Sequence, residues 1–112
     1  MLSDQVALVT GAGKGIGEAA ALALSAAGAT VVVTDISREL AEKVAQSLAV
    51  LQRRALAIAA DAGDVEDIQS MVDRTIEAFG RIDILVNNAG IIHTADFLDI
   101  KEADFDLSLI HI

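Results

Sequence analysis

The chain has 112 residues, 17 acidic against 8 basic, a formal net charge of −9 and 54% hydrophobic content, which describes one acidic domain with ample core material and excludes a disordered or multi-domain polypeptide. The charge disfavours a nucleic-acid partner, and the lack of cysteine excludes disulfides, thiol nucleophiles and Cys-ligated metal. The longest uncharged stretch, residues 19–34, falls short of the roughly 20 apolar residues of a membrane helix, and no basic leader opens the chain, so a soluble cytoplasmic protein without a membrane partner is expected.

Residues 5–10 (QVALVT) form a short apolar run ending at Gly11, the pattern of a buried strand. Residues 16–27 are rich in Ala and Leu and predict a helix closed by Gly28. Residues 30–35 (TVVVTD) are β-branched and continuous, a second buried strand. Ser37 then serves as N-cap for a helix with the stripe Leu40, Ala41, Val44, Ala45 and Leu48. Residues 55–60 (ALAIAA) give a third strand. Asp64 caps the next helix, in which Ile68, Met71, Val72, Thr75, Ile76 and Phe79 recur at steps of three and four up to Gly80. Residues 82–86 (IDILV) make a fourth strand, and residues 101–109 start a further helix. Apolar strands alternating with helices imply a parallel sheet covered on both faces, with right-handed crossovers.

Between the first strand and first helix stands T-G-A-G-K-G-I-G, residues 10–17. Glycines there let the chain turn sharply and let a pyrophosphate approach the backbone, while the helix N-terminus offers unpaired N–H groups and the positive end of its dipole. Ala19, Ala20 and Ala23 are expected to keep that helix slim against the sheet. A phosphate-loop NTPase is disfavoured, because Lys14 is followed by Gly15 and leaves no hydroxyl for Mg²⁺. Asp35, at the end of the second strand, is placed to accept hydrogen bonds from ribose hydroxyls, and a carboxylate there selects NAD over NADP.

The spacing T-G-x-x-x-G-x-G, with Asn87-Asn88-Ala89-Gly90 after the fourth strand and Asp61 after the third, resembles the short-chain dehydrogenase/reductase family over about residues 3–106. The resemblance implies an α/β, Rossmann-type doubly wound parallel sheet, here truncated after the fourth strand, so that residues 1–112 are the N-terminal part of a single NAD(P)-binding domain. It implies that Gly11, Gly15, Ile16 and Gly17 line a pyrophosphate and that Lys14 sits on the adenosine ribose side. Asp61 and the main chain of Ala62 would meet adenine, while Asn88, Ala89 and Gly90 would border a ribose and brace the sheet. Asn87 is expected to tie adjacent strands together. In the order 3-2-1-4, the glycine loop and the Asn-Asn-Ala-Gly segment flank one crevice at the carboxyl ends of strands one and four. The implied activity is hydride transfer between a nicotinamide and a small-molecule alcohol or ketone, in a homo-oligomer.

Such families catalyse with a Ser, a Tyr, a Lys four residues after it and an Asn beyond the fourth strand. This chain contains no Tyr, and no Asn follows Asn88, so no catalytic residue is assigned. The alternative is a non-catalytic dinucleotide-binding or sensing module. Residues 97–106 follow the family pattern, whereas residues 107–112 (LSLIHI) break it and resemble translated sequencing-adaptor sequence, as expected of a non-native tail. A fourth strand with no successor would leave an open apolar edge and favour aggregation. His93 is a surface-loop residue and His111 an end residue in this reading, Met71 is core, and the acids at 96, 99, 102, 104 and 106 form a solvated face; with two isolated His and no Cys, no metal site is expected.

Overall fold

The computed structural model describes residues 2–88 and 108–111. The elements run β1 (Val6–Thr10), α1 (Gly15–Ala26), β2 (Thr30–Asp35), α2 (Arg38–Val50), β3 (Ala55–Ala59), α3 (Val65–Phe79), β4 (Ile84–Asn87) and β5 (Ser108–His111). All strands are parallel, in the order β3-β2-β1-β4-β5. The strands β3, β2, β1 and β4 stand in the order implied by the family resemblance.

Strand alternation sorts those continuous apolar runs into two cores. Ala7 and Val9 of β1, Val31 and Val33 of β2, and Ile84 and Val86 of β4 face α1 and α2, where they meet Ala21, Ala41, Val44 and Leu48. Val6, Leu8, Val32, Ile58 and Leu85 point the other way, onto Ile68, Met71 and Val72 of α3. Leu8 lies in register between Val32 and Leu85 and is fully buried, which explains why β1 carries no polar residue before Thr10.

The helices begin where their caps dictate. The Ser37 hydroxyl accepts from Leu40 N, and the Asp64 carboxylate accepts from Glu66 N and Asp67 N. The α1 stripe differs from expectation. Gly17, Ala21 and Ser25 are its buried residues, with Ala20 half-buried and Ala19 and Ala23 exposed. The slim surface thus comes from a step of four beginning at Gly17.

Two further expectations are corrected. The fourth strand begins at Ile84, not at residue 82, because Asp83 turns to serve β1. Asp83 N donates to Val6 O at 2.9 Å, and Asp83 Oδ2 accepts from Val6 N at 2.8 Å. The second concerns the edge of β4, which is paired. Residues 108–111 run parallel to it as β5, in the register Ile84↔Ser108 to Asn87↔His111, where the sequence predicts an open edge and a helix over 101–109. The apolar Leu109 and Ile110, β-prone and flanked by Ser and His, suit a short strand better than a helical stripe. Residues 101–107 lie outside the described part of the chain, as do His93 and the acids at 96, 99, 102, 104 and 106.

Asp83 also receives a bidentate grip from Arg81, with Nη2 to Oδ1 at 2.6 Å and Nε to Oδ2 at 2.8 Å. Burial acts to raise the Asp83 pKa. The Arg81 hydrogen bonds, the Val6 N–H and the Arg81 charge outweigh it and hold the carboxyl below its ordinary 3.8. A lowered native pKa gives stability that is present above 3.8 and lost as pH falls through the native value. Asp83→Asn should therefore melt below the wild type at pH 7, and the gap should close as the solution is acidified below 3.8. Thermal melts from neutral pH to pH 2 check this; a gap independent of pH would contradict it.

Candidate functional site

The carboxyl ends of β1, β2 and β4 bring together the glycine loop, Asp35 and Asn88. Thr10 ends β1, and Gly11 turns the chain with φ 60. Ala12 N donates to Thr34 O at 2.9 Å, extending the β1–β2 ladder one step into the loop. Gly13 N donates to Asp35 Oδ2 at 2.9 Å, while Asp35 Oδ1 accepts from Ser37 N at 2.9 Å. The other side of the loop is tied to β4: Asn88 Nδ2 donates to Gly11 O at 3.2 Å, and Asn88 N donates to the Thr10 hydroxyl at 3.1 Å. That hydroxyl in turn donates to Val86 O at 3.3 Å.

Held on both flanks, the loop buries Ala12, Gly13 and Gly17 and presents Lys14, Gly15 and Ile16 to solvent. Gly15 has φ 63, and a Cβ there would meet nothing within 4 Å. Gly17 is the opposite case: a Cβ would strike Gly11 O and lie 2.6 Å from Asn88 Nδ2. The N-terminus of α1 differs from those of α2 and α3, because its N-cap, Lys14, makes no side-chain hydrogen bond to the first turn. An anion seated there would find backbone N–H groups and the positive end of the helix dipole without displacing a cap.

The residues singled out in the sequence fall as follows. Gly11, Lys14, Gly15, Ile16, Gly17, Asp35 and Asn88 lie together at the carboxyl ends of β1, β2 and β4. Asn87 is buried in register with Thr10, 3.5 Å from its hydroxyl, in a sheet-tying position. Asp61 is exposed beyond β3; its Oδ1 accepts from Gly63 N at 2.9 Å, and its own N–H donates to Asp67 Oδ2 at 2.7 Å. Ala62 beside it is buried. The ends of β2 and β3 are joined by Ala60 N to Asp35 O at 3.0 Å, so Asp61 follows directly on Asp35's neighbour strand. Ala89 and Gly90 lie outside the described residues.

Sequence reasoning missed the part played by Gly13 and by the Thr10 hydroxyl. Gly13 sits in a string already rich in glycine, and Thr10 looks like the last residue of a strand. Among the described residues no cluster of His, Cys, Asp and Glu suits a metal ion, and no helix is long and apolar enough to cross a membrane.

The short chain dehydrogenase family model matches residues 5–112. The Oxidoreductase UcpA of Salmonella typhimurium is 44% identical over 108 residues, covering 96% of this chain and 41% of that protein. Versicolorin reductase 1 of Aspergillus parasiticus is 45% identical over 106 residues, covering 94% of this chain and 40% of that protein. Among solved structures, a hydroxysteroid dehydrogenase from Escherichia coli superimposes with a TM-score of 0.75 at 37% identity, covering 77% of this chain and 37% of that one. A 3-ketoacyl-ACP reductase from Sinorhizobium meliloti gives a TM-score of 0.71 at 42% identity, covering 72% and 32%. The chain thus spans about 40% of the length of the curated relatives it matches.

Proposed function

We propose, because the chain belongs to the short chain dehydrogenase family, that it forms the dinucleotide-binding part of an NAD-dependent oxidoreductase acting on a small-molecule alcohol or ketone. One observation carries this reading: an uncapped helix N-terminus and an acceptor-rich carboxylate stand at the ends of adjacent strands, linked by the Gly13–Asp35 hydrogen bond.

The residues present fit such a group chemically. The exposed rim of Lys14, Gly15 and Ile16 offers N–H donors to phosphate oxygens, and Lys14 adds a positive charge beside them. A carboxylate has about four acceptor positions, and the two described bonds to Asp35 leave room for ribose hydroxyls. Asn88 keeps the loop's floor in place by holding Gly11 O. Gly11, Gly15, Ile16 and Gly17 at the pyrophosphate, Lys14 and Asp35 at the ribose, Asp61 and Ala62 at adenine, and Asn88, Ala89 and Gly90 at the second ribose make up the proposed site. A bound nicotinamide would supply the hydride acceptor or donor.

Proton transfer is a separate matter. The 112 residues include no Tyr, the side chain that the family resemblance gives as proton donor. General acid–base catalysis is worth on the order of 10²–10⁴-fold, so the proposal assigns that task to residues beyond these 112. The same proposal places the enzyme in the cytoplasm as a homo-oligomer.

Calorimetric titration of the purified chain with NAD, alongside turnover assays on a panel of alcohols and ketones, tests this. Saturable NAD binding without turnover is expected. Robust turnover would overturn the assignment of the proton donor, and a folded chain that ignores NAD would overturn the dinucleotide reading.

A further inference from the structure

We propose that Asp35 is a positioning residue for the glycine loop, holding the phosphate-facing turn in shape before any ligand arrives. The functional half of this inference rests on the dinucleotide reading above; the structural half does not.

The carboxylate bridges two segments. Oδ2 accepts from Gly13 N in the loop and Oδ1 from Ser37 N at the entrance to α2, each at 2.9 Å. Ser37 in turn caps α2 by accepting from Leu40 N at 3.3 Å. Leu40 closes the ring, because a Cβ on Gly13 would lie 2.6 Å from Leu40 Cβ and 2.7 Å from Asp35 Oδ2. Gly13 is therefore pressed against the first turn of α2, with its N–H aimed at the carboxylate. Directly before it, Ala12 N still follows β2 through Thr34 O. Directly after it, Lys14, Gly15 and Ile16 emerge into solvent. Asp35 fixes the point at which the loop leaves the protein surface.

A carboxylate suits this task better than a neutral side chain. Both of its oxygens accept, and charge-assisted bonds to backbone N–H groups are about twice as strong as neutral ones. An Asn has the same shape but one acceptor oxygen, so it can satisfy only one of Gly13 and Ser37 through that atom. Loss of the charge at residue 35 consequently disturbs the phosphate loop as well as the ribose position. The two halves of the site are coupled through one side chain.

The coupling makes a prediction of opposite sign to simple electrostatics. Removing a negative charge beside an anion site should strengthen anion binding. Removing the clamp should weaken it, because the N–H groups of the loop are no longer held in place.

Amide hydrogen exchange by NMR on the ligand-free chain tests the structural half, with Asp35→Ala, Asp35→Asn and Gly13→Ala as variants. In Asp35→Ala, Gly13 N–H should exchange about tenfold faster or more, the factor for losing one charge-assisted bond. Asp35→Asn should fall between that variant and the wild type. Val33 and the Asn88 side of the loop should keep wild-type protection. Gly13→Ala should loosen the same amides from the other side of the clamp. Titration with inorganic pyrophosphate tests the functional half, and Asp35→Ala should bind it several-fold more weakly than wild type. Unchanged exchange at Gly13, or an equal loss of protection throughout the chain in all three variants, would overturn the clamp. Tighter pyrophosphate binding by Asp35→Ala would overturn the coupling. Wild-type chain that binds neither NAD nor pyrophosphate would refute the dinucleotide reading, while the exchange result would still decide the clamp.

Discussion

Gly17→Ala should cost the protein a large share of its stability, although Ala is the better helix former. In an open helix the change would gain about 1 kcal/mol. Here the new Cβ strikes the carbonyl oxygen of Gly11 and lies 2.8 Å from Gly11 C, both backbone atoms of the tied-down loop. It also lies 2.6 Å from Asn88 Nδ2, the donor that holds Gly11 O. The Asn88 amide is the end of a side chain and could swing aside, but only by releasing Gly11 O, and the two Gly11 atoms are backbone. Helix α1 must move off the loop, or the loop must leave β4. Overpacking of this kind costs about 1–3 kcal/mol and occasionally more, and here the Asn88–Gly11 hydrogen bond, about 1 kcal/mol net, is lost with it. Against a total of roughly 5–15 kcal/mol for a domain, a net loss of about 2–3 kcal/mol is expected in urea denaturation. A variant as stable as the wild type would refute the packing argument. Gly15 separates from Gly17 in the same experiment. A side chain there meets no protein atom but must adopt φ 63, a strain of about 1–2 kcal/mol for a non-glycine residue. Gly15→Val should keep the fold by circular dichroism and lose NAD binding, because its branches fill the approach to the backbone. Unchanged NAD affinity in that variant would count against the loop assignment.

The contrast between these two glycines shows what could be read before the fold was known. Both stand in the same string, and spacing alone marks the string as a turn into a helix. Which glycine is buried against a carbonyl and which faces solvent depends on Asn88, which lies 71 residues from Gly17. The elements themselves were legible because their signals are local. The α3 stripe, its Asp64 cap and its stop at Gly80 all lie within one stretch of chain. The parallel sense follows from alternation of strand and helix, whereas the strand order is implied by the family resemblance. The Gly13–Asp35 bond and the turn of Asp83 onto Val6 span 22 and 77 residues, and no periodicity records such pairs. The edge of β4 is hidden from the sequence for a related reason. The pattern of residues 107–112 speaks only of a helix, yet the N–H and C=O groups of β4 attract a strand regardless of family pattern.

NAD should bind the chain more tightly than NADP, by roughly fivefold at physiological salt. The 2′-phosphate of NADP would approach the Asp35 carboxylate, whose oxygens already point toward the loop and the α2 entrance. One like-charge pair at ~4 Å costs about 4 kcal/mol at an effective dielectric of 20. Lys14 and Arg38 are the nearby cations in sequence, and both are exposed. At ~8 Å each would return about 2 kcal/mol unscreened. Over one Debye length of about 8 Å, screening cuts each to below about 1 kcal/mol. Arg38 is further engaged by Glu42 at 3.9 Å on the solvent face of α2. The same screening over half a Debye length reduces the repulsion to about 2.5 kcal/mol, and the balance leaves about 1 kcal/mol against NADP, roughly a fivefold ratio at about 1.4 kcal/mol per tenfold. Calorimetry with both cofactors measures it, and equal or tighter binding of NADP would overturn the assignment of Asp35. Asp35→Ala should narrow the ratio in an uneven way. NAD affinity should fall, because the ribose acceptor and the loop clamp are lost together. NADP should gain less than the relieved repulsion would give, because Gly13 N–H no longer has its partner and the phosphate-facing turn is slack.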